Sequence, residues 1–111
     1  MMIYVNPLNV VSPRDCVSNV NVIFDGGEES FSIAEMDWEG TNAVGIRWNV
    51  ASREWDDSEK LAGKKECKGM PVSRTYPVWF ILPAVSGSYI QQIIADEKAR
   101  LAKPLQSHRQ A

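Results

Sequence analysis

The chain has 111 residues, 44% hydrophobic and 23% charged, with a formal net charge of −2. That mix excludes a wholly disordered polymer, and the length fits one domain that buries about two thirds of its unfolded surface. The near-neutral balance excludes a global basic field that would gather nucleic acid, although the charge is uneven: residues 1–60 carry a net −7 and residues 61–111 a net +5. Such asymmetry fits faces of opposite sign, complementary between subunits.

Residues 1–16 open on the short apolar piece Ile3-Tyr4-Val5, followed by Pro7 and Pro13. The prolines limit regular structure, so this segment reads as an edge strand or an extended arm. It has no basic leader followed by a long apolar run, and no signal peptide is expected. No apolar run in the chain reaches the ~18 residues of a membrane span. A reduced cytoplasmic protein is the expectation. Cys16 and Cys67 are the only cysteines, neither in a metal-binding spacing, and whether they approach each other stays open.

Residues 17–50 read as a β-meander. Val20, Val22 and Phe24 alternate with Asn19, Asn21 and Ile23, and Asp25-Gly26-Gly27 supplies turn chemistry. In the second strand Phe31 and Ile33 share one parity, whereas Met36 and Trp38 have the other. This predicts a β-bulge near Ala34-Glu35, or a sheet covered on both faces. Glu39-Gly40-Thr41-Asn42 is the second turn. The third strand then places Val44, Ile46, Trp48 and Val50 on a core face, with Gly45, Arg47 and Asn49 opposite.

Residues 51–75 are long, polar and aperiodic, which marks a loop of functional interest. A short helix over Ser52–Leu61, stopped by Gly63, would shorten it. Residues 76–83, YPVWFILP, are apolar on both parities and read as a central strand covered on both sides. Residues 88–103 read as an amphipathic helix. Ser88 and Gln91 suggest a capping box, Ile90, Ile93, Ile94 and Leu101 a buried stripe, and Glu97, Arg100 and Lys103 the exposed side. Residues 104–111 read as a tail. The fold class is therefore α+β: one domain, 1–111, holding a small antiparallel sheet or partly open barrel of about five strands, with one C-terminal helix packed on it.

Chemistry-bearing motifs are sparse. The only histidine, His108, falls in the tail, and no nucleophile elbow, Walker loop, dinucleotide fingerprint or zincin motif is present. No catalytic residue, metal ligand or cofactor is assigned. Glu35 and Asp37, and the cluster Glu54, Asp56, Asp57 and Glu59, leave open a small hydrolase that uses loop carboxylates. Arg47, Arg53, Arg74, Tyr76 and Trp79 leave open a nucleic-acid-directed regulator or anti-defence factor, although the nearby acids would repel phosphate.

The leading reading is a non-enzymatic module that binds a small molecule or a protein through Arg47, Asn49, Trp55, Arg74 and Tyr76. Trp55 lacks periodic apolar support, and tryptophan and arginine are enriched where surfaces bind. Arg47 and Asn49, on the second face of their strand, would form a polar pocket floor, or instead pair across to Glu35 or Asp37. A homodimer is expected because one sheet and one helix leave apolar edges to cover. Nucleic acid and membrane are not expected partners.

The strings DGGEESFSIAEMDWEG, GIRWN, REWDD and YPVWFILP resemble a group of small bacterial proteins of unknown function found in integron gene cassettes. The resemblance covers about residues 18–83. It implies a cytoplasmic, horizontally mobile accessory protein and transfers no site residue.

Overall fold

A computed structural model describes residues 2–103. Three long strands, β1 (Val17–Asp25), β2 (Phe31–Trp38) and β3 (Thr41–Trp48), form an antiparallel meander. Two-residue strands β4 (Val72–Ser73) and β5 (Tyr76–Pro77) make a separate hairpin, and β6 (Phe80–Pro83) returns to pair with β3. The main sheet runs β1-β2-β3-β6 and stays open. Helix α1 (Ser58–Leu61) is a single turn, and α2 (Gly87–Ala102) is the C-terminal helix. The fold is α+β.

The β2–β3 hairpin turns on Glu39-Gly40, with Trp38 opposite Thr41. Both turn residues have positive φ, 52° and 82°, as the tight turn that matches strand twist requires. The β2–β3 register runs unbroken from Phe31 to Trp38, so the bulge expected near Ala34-Glu35 is absent. The change of phase has the other cause, a sheet covered on both faces. Met36 and Ala34 pack on one side with Val10, Val17 and Trp79. Ile33 and Val44 pack on the other with Phe24 and with Ile90 and Ile94 of α2. The register breaks lie in β1 instead, between Ser18 and Asn21 and between Val22 and Phe24. The second break sends Val22 to the first face and Phe24 to the second, which the simple alternation had joined.

The first segment is an arm. Tyr4 bridges Cys67 in parallel, Pro7–Asn9 form a 3-10 turn, and Val10 reaches the core. The Trp79 indole N–H donates to the Val10 carbonyl at 2.8 Å. Trp79 is thus buried as an arm anchor. The cysteines are free and sit in different clusters, Cys16 beside the Val10–Trp79 core and Cys67 against Met2 and Val50.

Four sequence expectations need correction. The stretch 76–83 is not a central strand. Only Phe80–Pro83 joins the main sheet, at its edge, because Tyr76–Pro77 pairs with Val72–Ser73. Trp48 is not in the core: it is 47% exposed, since it ends β3 where apolar cover runs out. Glu97 is not on the exposed side of α2 but buried with Ile90 and Ile94, whereas Ile93 and Leu101 remain partly exposed. Glu97 accepts the Ser30 hydroxyl and a two-pronged contact from Arg100 at 2.8 and 2.6 Å. These donors, Arg100 foremost, hold its pKa below the usual carboxylate range against the opposing effect of burial. The Ser88–Gln91 cap does not form, because the helix already starts at Gly87 after a 3-10 turn, Ala84–Ser86. The tail 104–111, with His108, lies outside the described residues.

Candidate functional site

The polar segment after β3 is ordered by one buried carboxylate. Ser52–Asp56 form a 3-10 turn, Asp57 caps α1, and Gly63 leaves it at φ +74°. Glu54, 6% exposed, lies at the centre. Its Oε1 accepts from the backbone N–H groups of Ala51 (2.8 Å) and Gly69 (3.0 Å). Its Oε2 accepts from Lys68 N–H (2.8 Å) and from Lys60 Nζ (2.7 Å). Burial by itself would raise the Glu54 pKa, but these four donors outweigh it and hold the carboxyl below its ordinary value. Two ends of a loop are thereby clasped by one side chain.

Arg47 does the complementary work from β3. Arg47 is 3% exposed, and its guanidinium donates to the carbonyl oxygens of Lys68, Val78 and, at 3.3 Å, Pro71. Among the described residues no carboxylate forks onto it. Burial pushes its pKa down to about 10, with the Glu54 charge acting in the opposite sense, so it stays cationic at neutral pH. Gly69 makes this approach possible. Its φ is +69°, and a Cβ there would lie 2.2 Å from the Trp48 carbonyl and 2.6 Å from Arg47 Nη2.

Asn49 fixes the turn at the other end of β2. It accepts from the Ser32 hydroxyl at 2.7 Å and donates to Gly27 O at 2.9 Å and Asp25 Oδ1 at 3.1 Å. The Tyr4 hydroxyl donates to the same Asp25 oxygen at 2.7 Å. Burial and this carboxylate raise the Tyr4 pKa, keeping the phenol protonated. Neither Arg47 nor Asn49 pairs with Glu35 or Asp37. Glu35 lies opposite Val44 in the β2–β3 register, and Asp37 accepts from Asn19 at 2.7 Å.

These two clasps leave an open groove of about 580 Å³ between the end of β3 and the 51–70 segment. Trp48, Trp55, Met70 and Val50 form its apolar wall, and Glu28 and Glu29 are its charged groups. Trp48 stands edge-on to Phe31, ring centroids 5.7 Å apart. Its backbone exchanges two hydrogen bonds with Met70, at 2.8 and 3.0 Å. A smaller apolar hollow of about 170 Å³ adjoins the far side of Trp48, between Phe31, Ile46, Phe80 and Ile93.

The five residues expected to bind are not gathered in one cavity. Trp55 lines the aromatic groove, whereas Arg74 and Tyr76 share a second cavity of about 450 Å³ with Arg14. Arg47 and Asn49 are buried and hold the loops that shape the groove. Sequence reasoning missed Trp48, Met70 and Glu28. Trp48 has the parity of a core residue, and only its place at the strand end sets it apart. Met70 and Glu28 carry no periodic signal.

Glu54 and Asp57 both line a cavity of about 430 Å³, and the carboxylates around Glu54 are engaged in structural contacts. Asp57 Oδ1 accepts from the α1 backbone at 2.9 and 3.3 Å, and Glu59 pairs with Lys65 at 3.0 Å. Among the described residues no group of three His, Cys, Asp or Glu side chains is placed to hold a metal ion, and no helix is long and apolar enough to cross a membrane. Comparison with protein-family models, curated proteins and solved structures finds no match.

Proposed function

We propose that this chain is a non-enzymatic binding module, of the cytoplasmic accessory kind that the integron-cassette resemblance implies, and that it takes an organic cation in the Trp48–Trp55 groove. The ligand is an amine- or guanidinium-bearing small molecule, or a basic side chain on a partner protein. The observation that carries this reading is the half-exposed Trp48 facing a groove shared with Trp55 and Glu28. Indole faces attract cations, and a neighbouring carboxylate adds charge complementarity. Arg47 and Glu54 support the site by fixing the groove walls.

The test is an intrinsic-fluorescence titration with two probes, arginine amide and a decapeptide of alternating arginine and leucine. Quenching or enhancement that saturates is expected, and Trp48→Ala should weaken it about tenfold or more. An unchanged titration in Trp48→Ala would remove the groove as the site.

A homodimer is the second reading. It is favoured by β6, an edge strand that carries Phe80, 51% exposed, next to partly exposed Trp48 and Ile93. Antiparallel pairing of two β6 edges would cover Phe80 on both copies. Light scattering should then give about twice the 12.4 kDa chain mass, and Phe80→Glu should return it to the monomer value. A monomer at about 100 μM would eliminate this reading.

A further inference from the structure

The second cavity carries a separate chemistry. Strands β4 and β5 pair Val72 with Pro77 and Ser73 with Tyr76, so Arg74-Thr75 is the whole turn. Both turn residues have positive φ, 51° and 73°. Such turns ordinarily use Asn-Gly, and a β-branched residue at φ +73° is strained. The chain holds an arginine and a threonine there regardless. The effect is to set Arg74 over a cavity of about 450 Å³ whose other walls are Ser12, Pro13, Arg14, Ser73, Tyr76 and Val78.

Three features of this cavity point to a ligand class. Among the described residues its only charged lining groups are two arginines, and the adjacent Asp15 does not line it. Neither arginine side chain has an ion pair or hydrogen bond among the described residues. Tyr76 beside them is 62% exposed, so its ring face is open to a flat partner. Two unneutralised guanidinium forks suit a phosphate, which accepts paired N–H donors. The Ser12 and Ser73 hydroxyls are available to complete its oxygens. An exposed tyrosine within the same lining suits a stacked base.

We infer that the Arg14–Arg74–Tyr76 cavity binds a nucleoside phosphate, with the phosphate between the two arginines and the base on the tyrosine ring. This site is independent of the acidic groove, and neither requires the other. The same chemistry is offered by a free mononucleotide and by one nucleotide of a single strand. The net charge of −2 gives no general attraction for a polyanion, so recognition is local to this cavity.

The experiment is a two-dimensional amide and arginine-Nε NMR titration of the full chain with AMP, adenosine, inorganic phosphate and an eight-residue oligothymidylate. AMP should shift signals of residues 12–14 and 73–76. It should bind about tenfold or more tighter than adenosine or phosphate alone, because each of those supplies half of the contacts. Arg14→Ala and Arg74→Ala, both at exposed positions, should each weaken AMP about tenfold while leaving the rest of the spectrum in place. A tighter, steeply salt-dependent oligothymidylate complex on the same signals would identify a single strand as the source, and equal binding would identify the free nucleotide. The inference fails if AMP at about 10 mM leaves residues 12–14 and 73–76 unshifted, a Kd weaker than any specific site. It fails equally if phosphate binds as well as AMP, or if both arginine variants bind AMP like the parent.

Discussion

Arg47→Met will lower the unfolding free energy by about 3–5 kcal/mol, the largest loss expected from any single polar side chain described here. The methionine replaces the volume of the stem, but the carbonyls of Lys68, Pro71 and Val78 lose their donor. Backbone carbonyls in these part-buried contacts cannot be removed with the arginine, so the usual escape, replacing both partners of the contact by apolar groups, is closed. Arg47→Lys should recover only a minor part, because one ammonium on a flexible stem cannot span three acceptors that a planar fork reaches. Urea unfolding of the two variants checks this. A loss under about 1 kcal/mol would mean that the loop re-pairs with water and that Arg47 is not its anchor.

The second large effect is acid sensitivity through Glu54. Its pKa is lower in the fold than in the unfolded chain, where an ordinary glutamate titrates near 4.3. A lowered folded pKa means that the unfolded state binds more protons, so stability rises with pH through this range. The contribution is fully present above the unfolded pKa and is lost as pH falls through the folded one. Glu97 behaves in the same sense. The urea midpoint should therefore hold between about pH 7 and 5.5 and drop steadily below about 5. Glu54→Gln should cost about 2–3 kcal/mol at pH 7, because an amide nitrogen would then face Lys60 Nζ and the Lys68 N–H in place of an acceptor. It should also flatten the acid limb, leaving the part due to Glu97. An acid limb equally steep in Glu54→Gln would show that the four donors do not hold the carboxylate in the ionised form.

The sheet was legible in the sequence where alternation is strict. Val44 and Ile46 face one layer and Gly45 the other, and Glu39-Gly40 turns where turn chemistry is strongest. Four features hid the rest. Period-2 patterns cannot reveal a register break whose residues are all apolar, so the alternation alone places Ile23 in an uninterrupted β1. Nor can they tell a strand from an arm anchor, so the pattern puts Trp79 in a central strand, whereas it packs with Val10, distant in sequence. Glu54 and Arg47 were visible as charges near tryptophans. Apart from Lys60 Nζ, their partners are backbone groups of Ala51, Lys68, Gly69, Pro71 and Val78, and no side-chain pattern encodes those. Arg74 and Tyr76 were singled out together and do share a cavity, but the third member, Arg14, sits in the arm, where nothing in the sequence connects it to them.

Trp48 and Trp55 face the proposed ligand groove, whereas Trp79 closes the core. The indole N–H signals of the four tryptophans test it directly in an NMR titration with the arginine–leucine decapeptide. Only the Trp48 and Trp55 signals should move, while Trp79, hydrogen-bonded to Val10 O at 2.8 Å, stays in place. Stationary Trp48 and Trp55 signals at saturating peptide, or equal shifts of all four, would contradict the account.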